Sequence, residues 1–94
     1  MIEIRHEEED GRGALRAYEG DACVGSTVYV RSGPDVVLVQ HTGVEPEARG
    51  HGVGSALFEA LVAWARKSGT RLSISCIYMA RQFREHPEAA DVLR

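Results

Sequence analysis

The stretch Val44-Glu45-Pro46-Glu47-Ala48-Arg49-Gly50-His51-Gly52-Val53-Gly54-Ser55 joins a run of β-branched residues to a run with helical periodicity. Its alternating glycines, Gly50, Gly52 and Gly54, permit backbone conformations closed to other residues and carry no side chain to hold a ligand away. Successive amides can then turn into one concavity. The helix that follows adds its own unpaired N–H groups and the positive end of its dipole. A diphosphate suits such a loop. A Walker loop requires Gly-Lys followed by Ser or Thr, which the chain lacks. A dinucleotide fingerprint requires glycine at position 55, where Ser55 stands, and an early strand in place of a late one.

Upstream of the loop the pattern is that of strands. Ile2 and Ile4 alternate with polar neighbours, and Asp10-Gly11-Arg12-Gly13, Gly20-Asp21 and Ser32-Gly33-Pro34-Asp35 punctuate the chain as turns. Residues 14–18 return as a short strand. Residues 22–30 set Ala22, Val24, Ser26, Val28 and Val30 on one face. The run from Val36 to Val39 has the pattern of a strand buried on both faces, and it continues through Gln40, His41 and Thr42 to Val44. The acidic cluster Glu7, Glu8, Glu9 and Asp10 reads as a solvated turn between the first two strands. Its sharper reading is a rim that attracts a cationic amine.

Downstream, Val53, Leu57, Ala60, Leu61, Trp64 and Ala65 recur at helical spacing through Lys67, so Trp64 and the Leu57/Leu61 stripe are helix core. Gly69 stands where the helix stops, with Arg66 and Lys67 in the last turn favouring the carbonyl end of the dipole. Leu72, Ile74 and Cys76 alternate with polar residues as a strand. Residues 78–85 form a short helix burying Met79 and Phe83, halted before Pro87, and residues 87–93 add one more turn. The expected fold is α/β: a mixed sheet of about five strands with one long and one short helix. Its first four strands are antiparallel, and the fourth strand, long helix and fifth strand make a parallel unit with a right-handed crossover.

Composition bounds the rest. The chain of 94 residues is long enough for one domain, 1–94, and too short for two cores. Eleven basic residues against fourteen acidic give −3, without the basic excess of a nucleic-acid binder. Residues 1–10 are charged throughout, and no apolar run approaches the ~20 residues of a membrane span, so neither a signal peptide nor a membrane partner is expected. The two cysteines form no CxxC pair, and Cys23, Cys76, His6, His41, His51 and His86 show no paired ligand spacing. No disulfide framework and no metal site are expected, and a cytoplasmic setting follows. Nothing specifies an assembly beyond a monomer or weak dimer.

The spacing Arg49-x-x-Gly52-x-Gly54, with Val44 and Pro46 upstream, resembles motif A of the GCN5-related N-acetyltransferases. His41-Thr42, Cys76 and Arg84-Glu85-His86-Pro87-Glu88 extend the resemblance to the short YjdJ-like subfamily, which lacks the first helices of full-length members. It covers most of the chain, from about the third strand onward. The resemblance implies acetyl-CoA as cofactor, with its pyrophosphate on the loop amides. Thr42, Val44, Arg49, Gly50, His51, Gly52, Val53, Gly54, Ser55 and Cys76 are the implied contacts, and a small-molecule or peptide amine is the implied acceptor. In that subfamily a histidine before the loop and a cysteine after the next strand face the acetyl end, which makes His41 and Cys76 the catalytic candidates. The chain departs from the subfamily at three places: Gly43 replaces a glutamate, Ile77 a proline and Gln82 a tyrosine.

Acetyl transfer to an amine requires loss of the amine's proton, polarisation of the thioester carbonyl and stabilisation of the departing thiolate. His41 can act as base near neutral pH. Cys76 can protonate the thiolate, accept the acetyl group, or simply fill the core as a small apolar residue. Tyr78 is an alternative proton donor, and Cys23 reads as structural. The expected activity is N-acetyl transfer by direct attack of the amine in a ternary complex. The alternative, motivated by Gly43 and Gln82, is a non-catalytic acyl-CoA-binding module.

Overall fold

Asp10 and Gly11 take φ of 53° and 78°. A two-residue turn with both central residues left-handed has a twist that matches the strands it joins. It closes β1 (Ile2–Glu9) onto β2 (Arg12–Glu19), and Gly20-Asp21 closes β2 onto β3 (Ala22–Gly33). Pro34-Asp35 returns the chain as β4 (Val36–Val44). A single 3-10 turn, Pro46–Ala48, leads through the glycine loop into α1 (Val53–Ser68). Then follow β5 (Arg71–Ile74), α2 (Ile77–Glu85) and a 3-10 segment, Pro87–Val92. In this computed structural model, which spans Met1–Arg94, the strands lie in the order β1-β2-β3-β4-β5; the first four are antiparallel and β5 runs parallel to β4.

Both helices lie against one face of the sheet. Leu57 and Leu61 of α1 are fully buried over Leu15, Tyr29, Val37 and Val39. Met79 and Phe83 of α2 join the same core, where Phe83 meets Phe58 of α1 edge-on with ring centroids 5.0 Å apart. The C-terminal end of α1 closes as its sequence predicts, with Gly69 at φ 72° and its N–H donating to the Ala65 carbonyl. No helix of the chain is long and apolar enough to cross a membrane.

Four local expectations are corrected. First, the acidic cluster is not a turn: Glu7, Glu8 and Glu9 belong to β1, and only Asp10 turns. Tyr29 explains why. Its phenol donates to Glu8 Oε1 at 2.8 Å, while the Arg31 guanidinium grips both Glu8 oxygens at 2.8 Å. Second, Ala22, Val24, Ser26, Val28 and Val30 do not share one face of β3. A bulge at Val24 resets the alternation, and Gly25, Thr27 and Tyr29 face the helices. Third, β4 is buried on one face only, because Val36 and Leu38 look onto the side of the sheet without helices. Fourth, β5 ends at Ile74 in place of Cys76, because Cys76 becomes the residue that starts α2.

The Tyr29 ring anchors the edge strand. It stacks on Trp64 at 5.2 Å, while His6 meets Trp64 edge-on at 4.7 Å and lies 2.6 Å from the Tyr29 oxygen. Because the one phenolic proton goes to Glu8, His6 must present Nε2–H to that oxygen. Hydrogen bonds from Arg31 and Tyr29 hold the Glu8 carboxyl down at about 2, and burial pushes the His6 ring below its ordinary value. Burial, then the bond to Glu8, raises the Tyr29 phenol.

Two predictions follow from these contacts. A Cβ added at Gly25 would meet Val53 Cγ1 at 2.8 Å and the Gly43 carbonyl at 3.0 Å. Gly25→Ala should therefore cost about 1–3 kcal/mol in urea denaturation by crowding the start of α1 against the sheet. Acid should destabilise the fold in two stages. A depressed histidine contributes fully above its ordinary 6.5 and loses that contribution as the unfolded chain takes up the proton below it. Glu8 contributes above its ordinary 4.5 and loses its contribution as pH falls toward about 2. Urea midpoints should fall from about pH 7 to 5 and again to about 3, and Glu8→Gln should flatten the second fall.

Candidate functional site

The glycine loop leaves a row of main-chain donors without partners. Gly50 and Gly52 adopt φ of 87° and 84°, and at neither position would a Cβ meet any atom within 4 Å. Arg49 N–H donates to Pro46 and His51 N–H to Ala48, and the first bond into the helix runs from Ala56 N–H to Gly52 at 3.0 Å. The N–H groups of Gly50, Gly52, Val53, Gly54 and Ser55 donate to no backbone carbonyl. No side chain caps α1, and no acidic residue occupies its first turn. A helix start is normally capped by a Ser, Thr, Asp or Asn oxygen. Here it is left bare and electropositive, which is the condition for holding an anion.

These donors open into a cavity of about 580 Å³ lined by Thr42, Gly43, Val44, Ala48, Arg49, Gly50, Gly52, Val53, Gly54, Ser55 and Tyr78. That volume suits an extended small-molecule ligand. A larger hollow of about 680 Å³ on the helix-free face of the sheet is bordered by Glu7, Glu8, Glu9, Arg12 and Arg16. It offers no comparable row of amides, and Glu7 and Arg16 already pair across it.

The cavity runs up the open edge of β4. The ladder between β4 and β5 ends at Val39 and Ile74, with a last bond from Ser75 N–H to the Val39 carbonyl at 2.9 Å. Gln40 then bulges out of the pairing with β3, and the two strands part. Glu45 N–H donates to Val24 on β3. Alternation along an antiparallel pair therefore turns the amides of Val44 and Thr42 away from β3, toward the gap that β5 has left. The Thr42 side chain is fixed by a 2.8 Å hydrogen bond to the buried Thr27 hydroxyl.

Of the contacts implied by resemblance, Thr42, Val44, Arg49, Gly50, Gly52, Val53, Gly54 and Ser55 thus line one cavity. His51 does not: its amide serves Ala48 and its ring reaches Glu19 at 3.1 Å, tying the loop to β2. His41 and Cys76 flank the fork on its two prongs, His41 two residues beyond Val39 and Cys76 one residue beyond Ser75. They face different surroundings. The His41 ring is exposed in a small hollow of about 280 Å³ with Cys23, Ser26, Gly43 and Glu45, whereas Cys76 is buried in the core. No hydrogen bond joins them. Gly43, Ala48 and Tyr78 also line the cavity though sequence reasoning did not assign them to the cofactor, and of these Tyr78 alone brings a polar side chain. Its spacing from the loop carries no signal, and only the packing of α2 brings it there. Cys23, read as structural, is exposed beside His41.

Comparison with known proteins finds the same fold. Among curated proteins no relative matches the sequence. The solution structure of a GCN5-like protein from Staphylococcus aureus aligns over 96% of this chain and 87% of that one, with TM-score 0.69 and 23% identity. A ribosomal-protein-alanine N-acetyltransferase from Brucella melitensis aligns over 92% of this chain but 64% of its own length, with TM-score 0.65 and 21% identity. AAC(6')-Iy, solved with the bisubstrate analogue CoA-S-monomethyl-acetylneamine, aligns over 86% and 62%, with TM-score 0.56 and 17% identity. The family profile described as GCN5-related N-acetyl-transferase matches residues 5–92, and the chain belongs to that family.

Proposed function

We propose that the chain acts as one domain that binds acetyl-CoA and transfers its acetyl group to an amine, by direct attack within a ternary complex. The observation that carries this reading is the set of unpartnered amides at Gly50 and Gly52–Ser55 beside Arg49, at a helix start with no cap and no acid. These groups would hold the pyrophosphate. The outward amides of Thr42 and Val44 would hold the pantetheine arm along β4, directing it to the fork. Bound acetyl-CoA supplies an activated acyl group.

The chain's own residues supply position and proton handling. An amide at the fork can hydrogen-bond the acyl oxygen, and fixing the two reactants contributes up to about 7–11 kcal/mol where alignment is good. His41, exposed on the helix-free face, would take a proton from an amine arriving on that side. Cys76, on the other prong, would be the thiol that protonates the departing sulfur, reached from the core side of the fork. The acceptor is a small-molecule or peptide amine. The two unpaired thiols fit a reducing, cytoplasmic setting, and a monomer or weak dimer suffices for the site. A second reading, a non-catalytic acyl-CoA-binding module, is favoured by the separation of the exposed His41 from the buried Cys76 and by Gly43, which adds no side chain beside His41.

Coenzyme A at a hundredfold its dissociation constant should stabilise the fold by about 2.7 kcal/mol, read as a rise in melting temperature. With acetyl-CoA and a panel of polyamines and lysine peptides, free thiol should appear. Thiol release that stays at background while CoA still stabilises the fold selects the binding module. Intact mass after incubation with acetyl-CoA should show no adduct; an acetyl group gained by the native chain and lost in Cys76→Ala would replace direct attack with a thiol relay. Gly52→Ala forces an alanine into a left-handed conformation at a cost of roughly 1–2 kcal/mol. It should lower stability by that amount and weaken CoA binding in calorimetry, whereas unchanged CoA affinity would remove the loop from the site.

A further inference from the structure

The Tyr78 phenol lies against the first turn of α1. Its oxygen stands where a Cβ on Gly54 would be, so the ring fits only because residue 54 has no side chain. The same oxygen accepts a hydrogen bond from Gln82 Nε2 at 3.1 Å, one turn along α2. A phenol has one proton to give, and here it goes to no group of the protein. Tyr78 also lines the 580 Å³ cavity together with Gly52, Gly54 and Ser55. The hydroxyl is therefore a donor at the phosphate end of the cavity, away from the fork between β4 and β5.

We infer that Tyr78 completes the anion cradle, donating its O–H to a phosphate oxygen of the bound nucleotide alongside the amides of Gly52–Ser55, with Gln82 orienting it. This assignment rests on the coenzyme reading above and deepens it. It gives Gln82 a role in presenting the phenol. It also gives Tyr78 a binding role in place of the proton-donor role considered from sequence.

The experiment is calorimetric titration of the native chain, Tyr78→Phe and Gln82→Leu with three probes: CoA, ADP and pantetheine. A hydrogen bond to a charged group predicts that Tyr78→Phe loses about tenfold in affinity for CoA and for ADP, with pantetheine binding unchanged. Gln82→Leu keeps the ring over Gly54 but removes the amide that aims the phenol, so its ADP affinity should fall in the same direction by less. This second variant carries the test if Tyr78→Phe does not fold. ADP affinity unchanged in the folded variants, or a loss confined to pantetheine, would overturn the assignment. Failure of the native chain to bind CoA would instead remove the proposed function on which it rests.

Discussion

The start of α1 rests on β3 at a point where no side chain intervenes. Gly25 brings the backbone of β3 within van der Waals reach of Val53 and Leu57, with the Gly43 carbonyl of β4 beside it. This contact fixes the height of the helix above the sheet. The bare amides of Gly52–Ser55 consequently open onto the same cavity as the outward edge of Thr42 and Val44. A bulkier residue at position 25 would lift the helix and separate the two rows of donors. Shape complementarity between two glycine-bearing strands and a helix terminus thus sets the electrostatics of the loop.

Polar satisfaction is divided unevenly across the molecule. At one end, His6, Glu8, Tyr29, Arg31 and Trp64 form a network whose hydrogen bonds hold edge strand β1 to the rest. No buried side-chain polar atom in the chain lacks a partner. At the other end the main chain alone is left wanting, in a loop whose backbone is fixed by two left-handed glycines and tied to β2 through His51 and Glu19. Main-chain donors that face solvent are answered by water, which an anion of the right shape can replace. The rigid end and the unsatisfied end are opposite ends of the same sheet.

Much of this was legible in the chain. Helical spacing from Val53 and the stop at Gly69 placed α1, and the Asp-Gly and Gly-Asp pairs placed the hairpins, because both signals are local. The loop could be read because glycine at three alternate positions has few structural uses other than admitting a close neighbour. The faces of β3 and β4 were harder. The bulge at Val24 shifts the alternation of β3 by one residue without changing composition, and the unbroken apolar run from Val36 to Val39 conceals that Val36 and Leu38 lie on the helix-free side. The acidic run is exposed as its charge suggests, but it was misread as a turn because Tyr29 and Arg31, more than twenty residues away, hold Glu8 in the edge strand. Tyr78 was missed for the same reason: its neighbour Gly54 lies across a crossover.

The order of the strands carries a consequence for assembly. Each of β2, β3 and β4 pairs with its predecessor through a two-residue turn, so the sheet from β1 to β4 can zip up by short-range steps. The fifth strand must wait until α1 has crossed the sheet, and it is then held by four register pairs and the bridge from Leu72 to Leu93. A chain emerging from the ribosome would therefore complete its scaffold first. The cleft between the parting strands would come into being only after α1 and β5 had joined that scaffold.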